Sequence, residues 1–452
     1  MRNKISLRIG ALILILIVPV LIVTAFSGKQ GGASAAEIQA AEPESCVTTK
    51  CHANMGKDQF VHVPVQAAMC EACHKPTAKH TFEPIADASS LCYQCHPQKN
   101  TMKTVHMPVQ AGMCTACHSP HQSPNKFQLL NEPPKLCFGC HDEKTFQGNF
   151  VHGPVAVGGC TLCHNPHESG NPRMLSADIN DLCTTCHADK KDSLAKKFVH
   201  VPVQAGCINC HNPHAANFRF NLAAEGTKDL CLGCHADKKD WLDSVQVKHG
   251  GVETERGCLA CHDPHASDFT RQLHKQPVDL CISCHDKPLD TPNGKIMDMK
   301  TYLAANNDHH GPIRQNDCSA CHNPHGSDSF RMLRKNFPPV FYAPFDEKNY
   351  ELCFTCHEKT LVLDPTTKTL TGFRNGDMNL HYRHVNKADK GRTCRACHDP
   401  HGTTNPKHIR NAVPFGAWQL PTNFKKTETG GQCSPGCHQT FRYDRLTPVK
   451  NR

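Results

Sequence analysis

The 452-residue chain holds thirty cysteines, and every one belongs to a pair whose second member is followed directly by histidine. Thirteen pairs have the spacing Cys-x-x-Cys-His: Cys70 and Cys73, Cys92 and Cys95, Cys114 and Cys117, Cys137 and Cys140, Cys160 and Cys163, Cys183 and Cys186, Cys207 and Cys210, Cys231 and Cys234, Cys258 and Cys261, Cys281 and Cys284, Cys318 and Cys321, Cys353 and Cys356, Cys394 and Cys397. Two are wider: Cys46 and Cys51 enclose four residues, Cys433 and Cys437 three. The histidines that follow are His52, His74, His96, His118, His141, His164, His187, His211, His235, His262, His285, His322, His357, His398 and His438. Cys-x-x-Cys alone also serves zinc ribbons and disulfides, but neither needs a histidine after each pair. Two thiols can add to the two vinyl groups of one heme while the adjacent imidazole sits under the iron as its proximal ligand. About fifteen covalent hemes c are therefore expected. At the two wider spacings a disulfide is the competing reading.

Eighteen of the 33 histidines remain, and fourteen of them fall into patterns. His121, His167, His214, His265, His325 and His401 each end a His-x-Pro-His segment that starts on a proximal histidine. His62, His106, His152, His200, His249, His310 and His384 precede a motif, most of them as Val-His-x-Pro-Val or a relative. His80 is the displaced counterpart of the first group in the opening unit. These fourteen are the candidates for the second axial position, with His274, His309, His381 and His408 as spares, one of which must supply a fifteenth ligand. A histidine three residues beyond its own proximal ligand lies on the same side of that ring. It should bind a neighbouring heme, through a short segment stiffened by proline.

The elements that position these residues are repeats. A ligand histidine, a first motif with His-x-Pro-His, a spacer and a second motif recur seven times, starting near His62, His106, His152, His200, His249, His310 and His384. First cysteines are spaced by 44, 46 and 47 residues through the fourth unit, then by 51, 60 and 76. This gives a single-heme segment at 36–60, four compact two-heme repeats at 61–244 and three elaborated ones at 245–452. The insertions at 290–307 and 399–432 are candidate docking surfaces. Between motifs Pro, Gly, Asn and Asp interrupt any long helix. The expected fold is short helices and irregular loops wrapped around a chain of stacked hemes, with little or no sheet.

Composition agrees with that fold. Apolar residues make up 38% and aromatics 6%, so the side-chain core is thin and porphyrins must supply much of the buried apolar surface. Arg2, Lys4 and Arg8, then the uncharged run 11–26, then Ala33-Ser34-Ala35, read as a signal peptide over 1–35, with an uncleaved anchor as the alternative. The formal charge is +9. Removing residues 1–35 takes away Arg2, Lys4, Arg8 and Lys29, and fifteen oxidised hemes with ionised propionates would add about −15. A basic chain is no argument for nucleic acid here, and none is expected as a partner.

The doubled Cys-x-x-Cys-His unit resembles the multiheme c-type cytochromes of bacterial respiratory chains, over roughly residues 46–438. The resemblance implies anaerobic electron transport in the periplasm, at the cell surface or outside the cell. It also implies redox-protein donors and acceptors, among them a quinol-oxidising membrane complex or an outer-membrane porin conduit. Some relatives are filament subunits and others reduce small nitrogen or sulfur oxyanions. Irons capped by histidine on both faces favour a non-catalytic conduit, and no motif has the lysine in place of the proximal histidine that nitrite-reducing relatives carry. A reductase and a conductive filament are the alternatives. This sequence departs from the pattern at the Cys46 and Cys433 motifs and in the seventh unit, which lacks the leading Pro-Val.

Overall fold

The computed structural model describes residues 46–451 except 49, 79, 293 and 437. The expected signal segment 1–35 and Cys437 lie outside the described residues. Two compact units are distinguished, Met1–Met55 and Gly56–Arg452. In the first, the described part is a tight turn around the Cys46 motif, in which Thr48 N–H donates to Cys51 O and Met55 N–H to His52 O.

The second unit repeats one local plan. In the second repeat, Thr104–Val105 is extended and leads to His106, whose backbone (φ −64°, ψ 133°) stops the strand and opens the single helical turn Met107–Gln110. Pro108 sits in the first positions of that turn, where a missing N–H costs nothing. Gly112, at φ +70°, reverses the chain into the 3-10 turn Cys114–Ala116, which carries the first motif. Second motifs lie on short helices such as Ala88–Cys92 and Ile179–Cys186, capped by the Asp87 and Asp178 carboxylates. The longest helix among the described residues, Ala236–Ser244, has nine residues. No helix among the described residues is long and apolar enough to cross a membrane.

Strand pairing joins one repeat to the next. The extended dipeptide before a leading histidine pairs antiparallel with the dipeptide after His-x-Pro-His of the following repeat: Phe60–Val61 with Gln122–Ser123, Thr104–Val105 with Glu168–Ser169, Phe150–Val151 with Ala215–Ala216, Phe198–Val199 with Ala266–Ser267, and Asp308–His309 with Gly402–Thr403. In the remaining junction a single bridge, Lys248 to Gly326, does the same.

A second recurring device is a left-handed turn nine residues after the first-motif histidine. Phe127, Arg173, Phe220, Arg271, Arg331 and Lys407 have φ between 53° and 61°, and the residue after each is also left-handed. None is glycine, so each of these positions costs about 1 kcal/mol of backbone strain.

Among the described residues a cluster of buried apolar side chains forms in the sixth and seventh repeats, where Leu333, Phe337, Tyr350, Val362 and Val385 pack together. Elsewhere large apolar side chains such as Met107 (76% exposed) and Val157 (79%) stand open on the polypeptide. They are the surface that porphyrin faces would cover. The elaborated C-terminus adds small sheets: the hairpin Ala412–Phe415 with Trp418–Pro421, and the three strands Lys425–Lys426, Gly430–Cys433 and Phe441–Asp444. Cys433 thus lies on a strand, whereas the thirteen Cys-x-x-Cys-His motifs begin on helical turns.

Candidate functional site

Thirteen proximal histidines each face a second imidazole. For the first motifs the pairs are His74 with His121, His118 with His167, His164 with His214, His211 with His265, His262 with His325 and His322 with His401. For the second motifs they are His96 with His62, His141 with His106, His187 with His152, His235 with His200, His285 with His249 and His357 with His310. His398 faces His381. Ring centres lie 5.9–6.4 Å apart with planes within 28°. Two imidazoles sharing one iron at ~2 Å per nitrogen, with ~1 Å more from nitrogen to ring centre, stand about 6 Å apart. The residues fit a six-coordinate heme at each of these motifs.

The hydrogen bonds orient the rings for that role. Nδ1 of His118, His164, His211, His262, His322 and His398 meets the carbonyl of Phe127, Arg173, Phe220, Arg271, Arg331 and Lys407 respectively, at 2.8–3.0 Å. These are the left-handed residues of the recurring turn. At the second motifs, the facing rings of His62, His106, His152 and His200 turn Nδ1 to the carbonyl of Pro120, Pro166, Pro213 and Pro264, each the proline of the next repeat's His-x-Pro-His. With Nδ1 occupied by an acceptor, each ring presents Nε2 as the free lone pair.

The spares divide on two grounds. His274 and His309 engage Nε2 with the carbonyls of Leu259 and Leu303. His408 turns Nδ1 to Asp308 O as the ligand rings do, but its ring meets His310 edge-on and faces no proximal imidazole among the described residues. His381, by contrast, keeps Nε2 clear, with Nδ1 3.2 Å from Thr371 Oγ1. It is the residue that sequence patterns leave among the spares. The signal that could have found it is positional: within this sequence no further His-x-Pro-His follows His401 to supply a ring opposite His398.

His381 and His384 lie on the helix Leu380–Val385, held by the fully buried Asn379. Its Oδ1 accepts from the amides of His381 and Tyr382, and its Nδ2 donates to Leu361 O and Asp364 O. Burial first, then the charges of His398 and His384, push the His381 pKa down to about 4. Burial likewise takes His384 down to about 4, against the Leu380 carbonyl and with Arg392 and His438 adding. Both stay neutral, as a ligand must. His438 packs its ring flat on Phe441 at 4.5 Å, and has no facing imidazole at 6 Å among the described residues. His80 lies exposed beside the hairpin of His74–Ala78 with Thr81–Pro84, at φ +64°, without a ring partner among the described residues.

The described cysteines form no disulfides, and they follow one another through space. The first cysteine of each second motif lies within hydrogen-bonding reach of the first cysteine of the next repeat: Cys92 with Cys114, Cys137 with Cys160, Cys183 with Cys207, Cys231 with Cys258, Cys281 with Cys318 and Cys353 with Cys394. Within repeats Cys117 feels Cys140, Cys163 feels Cys186, Cys210 feels Cys234 and Cys321 feels Cys353, and at the end Cys433 feels Cys397. From Cys70 to Cys433 each anchoring site therefore adjoins the next.

A family model described as the doubled CXXCH motif matches residues 62–101, 106–146, 152–192, 200–240, 249–289, 310–361 and 385–416. The multiheme cytochrome MtrA of Shewanella baltica (strain OS185) is 26% identical over 187 residues, 40% of this chain and 47% of that protein. The match thus spans about half of that relative's length.

Proposed function

Given that the chain belongs to the doubled-CXXCH family of multiheme c-type cytochromes, we propose that it is an exported conduit passing electrons along about fifteen hemes, with no substrate chemistry of its own. Facing imidazoles at thirteen motifs carry this reading. Each heme, when bound, supplies a one-electron iron couple. The protein's part is to close both faces, so that a small molecule finds no open position, and to fix the distance from site to site. Paired imidazoles also hold the potential below that of His/Met ligation. Contacts between successive anchoring cysteines support transfer in sequence order.

The signal-like N-terminus supports a periplasmic or cell-surface location, with redox proteins on either side as donor and acceptor. The similarity to MtrA supports a place in a respiratory chain, and a quinol-oxidising complex or a porin is the corresponding partner class. His438, with Phe441 over its ring, is the observation that favours the reductase alternative. Electron paramagnetic resonance of the oxidised holoprotein tests the choice. A purely low-spin spectrum with no carbon monoxide binding after reduction is expected. A high-spin signal together with turnover of nitrite or hydroxylamine would replace the conduit by a reductase.

A further inference from the structure

The fifteen proximal imidazoles do not share one environment at Nδ1. Six meet the carbonyl of a left-handed turn, as described. His438 meets Gln439 O at 2.6 Å. His52, His96, His141, His187, His235 and His357 are exposed residues. His74 and His285 differ from all of these: their Nδ1 atoms are buried and have no hydrogen-bond partner among the described residues.

Each exception has a local cause. In the first repeat the left-handed turn is replaced by the hairpin His74–Ala78 with Thr81–Pro84. The residue nine beyond His74 is Glu83, which lies in a strand opposite Lys75, so its carbonyl is not turned toward the imidazole. Around His285 the insertion 290–307 folds back. Met299 and Lys300 donate their amides to His285 O, and the chain that shields the ring offers Nδ1 no acceptor.

An acceptor on Nδ1–H makes an imidazole a stronger donor, and a stronger donor favours ferric over ferrous iron. His74 and His285 lack that acceptor. We propose that the sites anchored by Cys70 with Cys73 and by Cys281 with Cys284 are the two most positive in potential, so that electrons entering the chain come to rest there first. One well stands at the start of the repeats and one in the fifth repeat. The proposal rests on the reading that proximal histidines ligate heme.

The test uses full-length holoprotein in a stepwise reductive titration followed by visible absorbance. Three variants each lose one heme: Cys70→Ala with Cys73→Ala, Cys281→Ala with Cys284→Ala, and the control Cys114→Ala with Cys117→Ala. Each of the first two should lose one of the two most positive one-electron steps, and the control should keep both. Loss of such a step in the control, or its retention in both test variants despite a mass lower by one heme, overturns the proposal. Unchanged mass in all three variants would fault the heme-attachment reading instead. Where a variant does not mature, wild-type protein gives the answer through paramagnetic proton resonances. The heme methyls nearest the Cys70 and Cys281 thioethers must be the first to lose their ferric shifts, and any other order overturns the proposal.

Discussion

The backbone amide of His62 donates to the carbonyl of His121 at 2.8 Å, joining residues of successive repeats. Their rings face His96 and His74, so both sites of the first repeat are closed by one hydrogen-bonded pair of residues. The same bond links His106 to His167, His152 to His214, His200 to His265, His249 to His325 and His310 to His401. Each of the first six repeats is completed by its successor.

His381→Ala should therefore open one iron. Oxidised protein is expected to gain a high-spin signal from a single site and, once reduced, to bind one equivalent of carbon monoxide. His274→Ala, whose Nε2 is already engaged by Leu259 O, should give neither. A variant at His381 that stays fully low-spin would remove it from the ligand set.

Intact mass checks the stoichiometry. Holoprotein should exceed its polypeptide by ~9 kDa, one heme for each pair of cysteines followed by histidine. A deficit of one or two hemes would point to the Cys46 and Cys433 motifs.

Asn379→Ala removes four hydrogen bonds from a fully buried side chain, two of them the cap of the helix that carries His381 and His384. A loss of roughly 2–4 kcal/mol is expected. Hydrogen exchange should show it first in residues 361–386.

Arg173 holds φ +54° and directs its carbonyl to His164 Nδ1. Arg173→Val should cost roughly 1–3 kcal/mol, because a β-branched residue is strongly disfavoured there, while Arg173→Gly should be close to neutral. Chemical denaturation of the two holoproteins compares them directly.

Asp399 is buried, accepts from Tyr302 Oη at 2.6 Å and Arg410 Nη1 at 3.0 Å, and lies 3.5 Å from His401 Nδ1. Burial alone would raise its pKa; hydrogen bonds from His401 and Tyr302 and the charge of Arg410 hold it far below the usual carboxylate range. Its stabilising contribution is thus complete above the ordinary carboxylate pKa of ~4 and is lost as pH falls from there toward the depressed folded value. Asp399→Asn should cost about 3 kcal/mol at neutral pH and shift the potential of the Cys318 site upward, because His401 loses a carboxylate neighbour. Thermal unfolding against pH and a redox titration read the two effects.

What the sequence discloses follows from which interactions are written in spacing. Thioether attachment is covalent and local, so Cys70 to Cys437 and the histidines behind them are legible as text. The two-faced ring also makes legible that His121 must serve a heme other than the one anchored by Cys114. That the ring opposite it is His74, two motifs back, depends on strand pairing between repeats, and the paired segments are dipeptides too short to signal themselves. The left-handed turns are hidden for another reason: phenylalanine, arginine and lysine occupy them, and nothing in those types announces a positive φ. His381 carries no motif at all, and the buried Asn379 behind it and Thr371 at its Nδ1 fix its direction. His80 shows the reverse case, a residue that fits the pattern and stands exposed beside a hairpin turn.

The interlocking of repeats has a consequence for how the chain can change length. Excising the segment from one His-x-Pro-His to the next would remove a whole repeat, yet every remaining first-motif ring would still meet a neighbour supplied from downstream. Only the final repeat needs its own stop, and His381 provides it from within. Duplication or loss of a repeat therefore needs no compensating change elsewhere, and the number of repeats becomes a ruler that can be lengthened or cut one division at a time.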